Sequence, residues 1–466
     1  MRIIKNPQQR RRIGLVAAAT LAAGTLISLS LPSSEAASAV SEGVACDRNT
    51  DGGVYNLDAT AGYAGTPDGN SIYMWSYADS SGSFQLPGPT LCVHSGDKVT
   101  VVLHNTLPEP TSIVFSGQSS ITANGAVAQP QFSTPGDPTT PVTSLVQGAA
   151  PGNSITYQFI AGRPGTYLYT SGTDVTKQRQ MGLFGGLIVR PASGAHDNYG
   201  NDLPNSKFKA DAEYLFILSE VDPDLHLAVE RHQAYNYKAS KSRYFMINGR
   251  SMPDTLAPNY AAWLPSQPYG ATVHVRPYDV NLNPDAALIR YLNAGSQDYP
   301  FHPHGSSETV ITRDGAPSVN GAGQDATFDK YLIDVGPGQS VDATMIWANE
   351  YDPQGKKVSQ GGTCSDGAIA DVGQCAAIPS DIQLPQLQDQ IVGPGTETWF
   401  SENPYLGAPG GQGPVPNGIV QNNECGEYYH IAHSHALYQA TNYGASFGGM
   451  MTLYRIDPPA GCQVTP

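Results

Sequence analysis

Apolar runs of strand length recur along the chain, each closed by turn residues, and the pattern occurs twice. In Val99 to Gly117, VTVVLHNTLPEPTSIVFSG, an apolar strand ends in Asn105 and a glycine follows twelve residues later. Ala287 to Gly305, ALIRYLNAGSQDYPFHPHG, does the same with Asn293 and Gly305. The following elements repeat in the same order. Pro151-Gly152-Asn153-Ser154 precedes ITYQFIAG, and Pro337-Gly338-Gln339-Ser340 precedes VDATMIWA. Gly165-Thr166-Tyr167-Leu168-Tyr169 matches Gly426-Glu427-Tyr428-Tyr429, and MGLFGGLIV from Met181 matches FGGMMTL from Phe447. Two tandem all-β sandwiches, each packing alternate residues inward, account for this economically. Their expected limits are 45–192 and 208–460. The second copy carries an insertion at about 350–424, rich in Gly, Pro, Gln and Asp and without a histidine, which predicts a long surface loop.

Composition agrees with short strands and frequent turns. Gly (50) and Pro (37) make up about a fifth of the 466 residues without a short period, which excludes collagen. The first 39 residues stand apart. Arg10, Arg11 and Arg12 precede an apolar run from Ile13 to Leu31, and Ala37-Ser38-Ala39 offers a small-residue cleavage site. This order predicts a signal peptide of the Sec or twin-arginine kind at 1–39, and a secreted, periplasmic or cell-surface protein. A membrane anchor is the alternative reading of the same run. The segment holds five basic residues against Glu35, so its removal takes the net charge from -15 to -19. With no basic cluster after it, nucleic acid is excluded as a partner and an anionic membrane surface is disfavoured.

Six cysteines, Cys46, Cys92, Cys364, Cys375, Cys425 and Cys462, suit disulfides in an exported chain. Spacing suggests Cys46–Cys92, Cys364–Cys375 and Cys425–Cys462, among many formal pairings. No C-x-x-C spacing favours a thiolate metal site.

Four of the 11 histidines form two H-x-H pairs in the second repeat, His302-Pro303-His304 and His433-Ser434-His435, with His430 just before the second. On a strand, residues i and i+2 share a face, so each pair presents two imidazoles side by side. Neighbouring strands would bring four nitrogens to one pocket, a donor set suited to copper, zinc, iron or nickel. The alternative is four polar histidines with no metal.

At these residues the chain resembles the multicopper oxidases, chiefly their two-domain forms. YPFHPHG resembles the family's H-P-x-H-x-H-G loop, and YHIAHSHALYQATNYGASFGGMM resembles its C-terminal H-C-H-x4-H signature. The resemblance implies two tandem cupredoxin-like Greek-key domains, and copper as the cofactor. It also allows a homotrimer, since two-domain members assemble with their clusters at subunit interfaces. In the family a blue copper is held by two His, a Cys and an axial Met or Leu, and a three-copper cluster by eight His. Here the blue-copper Cys corresponds to Ser434 and its two His to Tyr299 and Gln439; Met450 and Met451 lie where axial ligands come from. A hydroxyl does not replace a thiolate for electron-transferring copper. The second-domain cluster ligands remain as His302, His304, His433 and His435. The first-domain ligands correspond to Val114, Ser116, Thr170 and Gly172. The expectation is one or two copper ions on the four histidines, with zinc as an alternative metal. The activity is a limited oxidation or copper handling, or else the chain is a non-catalytic surface or matrix module.

Overall fold

Asn105 and Asn293 show why the repeat is written into the sequence. Each ends a strand, and its side chain organises the loop that follows. Asn105 Nδ2 donates to the carbonyls of Glu109 and Ala149, and its Oδ1 accepts from Leu107 N–H. Asn293 Nδ2 donates to Gln297 and Val335, and its Oδ1 accepts from Gly295 N–H. The paired turns also correspond. Gly152 and Gly338 both take positive φ, 76° and 78°, and their N–H groups donate to the carbonyls of Asn105 and Asn293 respectively. Only glycine adopts that conformation without a steric cost, which is why the Pro-Gly dipeptide occurs in both copies.

The computed structural model of the chain describes residues 43–46, 53–192, 199, 203, 206–276, 284–346, 370–371, 374–375 and 428–456, save 81, 305, 306 and 447. The expected export segment, nearly all of the 350–424 insertion, and Cys364, Cys425 and Cys462 lie outside the described residues.

The first sandwich pairs two sheets. One runs Ser71–Asp79, Val54–Gly65, Lys98–Asn105, Ser154–Ile160, Thr122–Ala123 and Ala126–Val127. The other runs Leu91–His94, Phe184–Arg190, Gly165–Thr170 and Val114–Phe115. The second sandwich repeats this plan. Tyr244–Ile247, Phe208–Val221, Ala286–Asn293, Ser340–Met345, Glu308–Arg313 and Ala316–Pro317 form one sheet, with Phe328–Lys330 beside Glu308–Arg313. Val273–Val275, Met451–Ile456, Tyr428–Ser434, Tyr299–Pro303 and Ile333–Val335 form the other. The all-β double sandwich expected from the repeat is the observed fold. Among the described residues no helix is long and apolar enough to cross a membrane.

Burial distinguishes the copies. Ser154–Ile160 alternates between buried and solvent-facing positions, as a sheet wet on one side should. Its counterpart Ser340–Met345 and the adjacent Ala286–Asn293 are buried at every position. The first sandwich covers their outer face, with Gly165–Thr170 packed on both strands. A buried ionic network crosses that seam. Arg290 donates to Glu213 (2.8 Å), Asp342 (3.3 Å) and Thr166 (2.8 Å), and Arg190 pairs with the other Glu213 oxygen at 2.6 Å. Arg179 donates to the carbonyls of Asn293, Ala294 and Gly295. The described residues of the two sandwiches lie within one compact unit. The expected Cys46–Cys92 disulfide is present, with Cα atoms 5.6 Å apart.

Candidate metal centre

Tyr299–Pro303 and Tyr428–Ser434 are antiparallel neighbours, in a register that sets His302 opposite His433 and Phe301 opposite Ser434. Alternation then gives one face to all four histidines and the opposite, inward face to Tyr299, Phe301 and Ser434. Main-chain bonds extend the pairing past both strand ends: His304 N–H donates to Ile431 (2.9 Å) and His435 N–H to Pro300 (2.7 Å). The rings meet. Centroids lie 4.6 Å apart for His302 and His304, 5.2 Å for His302 and His435, 5.2 Å for His304 and His433, and 6.0 Å for His433 and His435. His433 is buried and His435 exposed, so the cluster opens to solvent on one side.

Main-chain carbonyls orient two of the rings. His433 Nδ1 donates to its neighbour Ser434 at 2.8 Å, and His302 Nδ1 donates to Tyr331. A neutral imidazole that donates from Nδ1 offers a lone pair at Nε2, the usual outer-shell arrangement for a metal ligand. Burial lowers the His433 pKa, against the Ser434 carbonyl, with His302 and His435 adding to the lowering. The ring is therefore held in the neutral, ligating form. Its Nε2 lies 3.2 Å from His304 Nε2. Two nitrogens bound to one ion at about 2 Å with tetrahedral angles stand roughly 3.3 Å apart. Among the described residues no three of these donors surround one ion-sized point as they stand. His304 and His433 already have the spacing, and His302 and His435 need a ring rotation or a bridging water to join them.

The position of the family's blue copper does not fit a metal. Tyr299, Ser434, Gln439 and Met450 are all buried there. Ser434 Oγ donates to Gln439 Oε1, and Gln439 Nε2 donates to the Asp298 carbonyl at 3.0 Å. The amide and hydroxyl satisfy each other and leave no thiolate or imidazole donor. Met450 packs in the inner core of the second sandwich and Met451 in a smaller cluster with Tyr429, Ile431 and Leu453.

The first sandwich presents the same geometry without the chemistry. Val114 is opposite Thr170, the register of His302 opposite His433. Ser116 N–H donates to Leu168, as His304 does to Ile431. In place of imidazoles lies a seam of hydroxyls. Thr173 Oγ1 donates to Ser112 Oγ (2.9 Å), Ser144 lies 2.9 Å from Thr173, and Ser171 Oγ donates to Gln178 (2.6 Å). A Cβ at Gly172 would come within 2.7 Å of Val114 Cγ2. Side chains of Val114, Leu145 and Ser112 fill the space where a fourth side chain would stand.

Residues 68–194 match the family described as multicopper oxidase. That stretch of the first sandwich is similar to multicopper oxidases. Copper is the metal this similarity implies. Among curated relatives, a probable nitrite reductase-hydroxylamine oxidoreductase fusion protein of Kuenenia stuttgartiensis is 26% identical over 57% of this chain and 26% of its own length. An L-ascorbate oxidase of Cucumis sativus is 30% identical over 25% of this chain and 18% of its own. The chain therefore spans about a quarter or less of these relatives. The blue copper oxidase of Nitrosomonas europaea shares the fold, with TM-score 0.51 and 18% identity over 86% of this chain and 85% of that one.

Two features of this chain escaped the sequence reading. Glu308 is buried in the core beside Tyr291 and Tyr454, and Glu220 is buried beside Tyr299. Glu220 Oε1 accepts from Ser296 N–H and Oγ, whereas Glu220 Oε2 and Tyr299 OH have no hydrogen-bond partner among the described residues. A Cβ at Gly295 would lie 2.0 Å from each of those two atoms, so only glycine fits there. Alternation in ETVITR groups Glu308 with Val310 and Thr312, which are buried. The sequence carried that signal, but a carboxylate in a strand is more often solvated than buried.

Proposed function

We propose that His302, His304, His433 and His435 hold one or two copper ions in a centre without a blue-copper partner, working in a limited oxidation or in copper handling. The observation that carries this reading is the 3.2 Å approach of His304 Nε2 to His433 Nε2, with His433 Nδ1 committed to a main-chain carbonyl. Bound copper supplies one-electron redox chemistry and Lewis acidity. The chain's own residues orient the rings, keep His433 neutral and leave the exposed His435 side open for a small molecule. Four-electron oxygen reduction is not part of the proposal, because Tyr299, Ser434 and Gln439 provide no electron-transfer site and the first-sandwich seam provides no cluster ligands. The reading includes export by the 1–39 segment, and a homotrimer is compatible with it.

Metal analysis and paramagnetic resonance of the purified protein test it. The expected result is about one copper per chain with a type 2 signal, without the intense visible absorption of a copper–thiolate bond. A His302→Ala/His435→Ala variant should lose that copper, and unchanged binding in it would reject the site.

A second reading has its own support. The first-sandwich seam and the Ser434–Gln439 pair are fully built hydrogen-bonded structures, as expected of a non-catalytic module on the same scaffold. In that case stoichiometric copper leaves the melting temperature unchanged, whereas a bound metal raises it.

A further inference from the structure

Between the two sheets of the second sandwich a carboxyl group lies against two phenols. Tyr291 OH donates to Glu308 at 2.9 Å from both oxygens, Tyr454 OH donates at 2.9 Å, and the phenol oxygens are 2.8 Å apart. All three side chains are closed to solvent. Apolar side chains of similar volume would pack there without the desolvation cost of an ionisable group. Burial pushes the Glu308 carboxyl up to about 7, with Tyr291 and Tyr454 opposing it, so near neutral pH it exists in both proton-accepting and protonated forms. Burial also raises both phenols well above their ordinary value. Neither therefore ionises alone, and an electron leaves a phenol here only together with its proton.

The trio is joined by aromatic rings to the strand that carries the histidines. Tyr291 lies 5.6 Å from Phe301, and Phe216 lies 5.6 Å from Tyr291, 5.5 Å from Phe301 and 6.3 Å from Tyr454. Phe301 precedes His302, facing the core where His302 faces the cluster. We propose that Tyr291, Tyr454 and Glu308 form a proton-coupled one-electron relay behind the histidine face, an extension that rests on the copper reading above.

In the forward step Tyr291 gives up one electron; copper held by the histidines would supply the one-electron oxidising equivalent, drawn from hydrogen peroxide. The O–H bond breaks and the proton passes to a Glu308 carboxylate oxygen, leaving a neutral phenoxyl radical and a neutral carboxylic acid. Tyr454 shares the radical by passing its hydroxyl hydrogen atom to the Tyr291 oxygen. A one-electron reductant of the ascorbate or phenol class restores the phenol, which recovers its proton from Glu308. The relay so described drains oxidising equivalents away from the imidazoles.

Two experiments on the full chain separate this relay from the copper reading. In the first, the protein as purified is flash-oxidised with a ruthenium polypyridyl complex and persulfate, then frozen for paramagnetic resonance. A long-lived phenoxyl signal is expected, its yield falling about tenfold per pH unit below about 7 as Glu308 protonates. A Tyr291→Phe/Tyr454→Phe variant should lose the long-lived signal, and Glu308→Gln should lose the pH dependence. Circular dichroism and the unfolding midpoint show whether each variant is folded; if the double variant is not, Tyr291→Phe alone serves. An equal long-lived yield in a folded variant lacking the phenols overturns the relay, whatever the copper content. In the second, copper-loaded protein is treated with peroxide. The same signal is expected, absent from His302→Ala/His435→Ala. A signal in the first experiment but not in copper-loaded protein overturns the link between the relay and the histidine site.

Discussion

Replacing Glu308 by Gln should flatten the pH dependence of stability. The carboxyl titrates at about 7 in the folded chain against an ordinary value of 4.5, and it is closed to solvent. A raised folded-state value means that the native protein holds this proton more tightly than the unfolded chain does. The stabilisation is complete below about 4.5 and is lost as pH rises through about 7. The difference in proton affinity corresponds to about 3 kcal/mol across that window. A glutamine side chain in its place would keep the shape, accept from one phenol and donate to the other, but it carries no proton to lose. Denaturant unfolding of both proteins at intervals between pH 4.5 and 8 measures the effect. Subtracting the two curves removes the titration of every other group. The expected difference curve falls by about 3 kcal/mol towards alkaline pH. A flat difference curve would refute the assignment of a neutral buried carboxyl at 308.

Other outcomes follow from single contacts. Gly295→Ala drives a methyl against Glu220 and Tyr299, and overpacking of this kind should cost about 3 kcal/mol or prevent folding, read from the unfolding midpoint. Arg290→Met removes the ion-pair partner of Asp342 and one of the two arginines on Glu213; loss of one partner of a buried ionic group should cost roughly 3–5 kcal/mol, measured by chemical denaturation. Cys46→Ala/Cys92→Ala opens a 46-residue separation, for which chain entropy gives at most about 4 kcal/mol, checked by comparing the variant with oxidised protein. Thr170→His, which restores one missing first-sandwich imidazole, should leave copper stoichiometry by elemental analysis unchanged, because the hydroxyl seam and Gly172 leave no second ligand beside it.

The repeat made the fold legible. Asn105 and Asn293, Gly152 and Gly338 perform the same backbone tasks in both copies, and such tasks leave little choice of residue. The histidine cluster was legible for a related reason: two H-x-H pairs in strands equivalent by repeat have to face one another if those strands pair. The relative burial of the copies was not legible. Ser340–Met345 reads like its amphipathic counterpart Ser154–Ile160 until the first sandwich covers it. Glu308 and Glu220 were missed because their burial depends on partners about twenty to nearly one hundred and fifty residues away, among them Tyr291, Tyr454 and Tyr299. The hydroxyl seam looked like plain loss of ligands from Val114, Ser116, Thr170 and Gly172. Only the packing of Ser112, Ser144 and Thr173 reveals a replacement structure.

The grip of Arg179 on the carbonyls of residues 293–295 carries a consequence for how this chain can be divided. That short stretch leads directly into the strand bearing His302, and it also contains the glycine wedged between Glu220 and Tyr299. The half that lacks the H-x-H pairs thus works as a clamp on the half that has them. A fragment beginning after the first sandwich would bring every metal-binding side chain and still lose the brace that sets their alignment, so its weak or absent copper uptake would report on architecture, not on ligand identity.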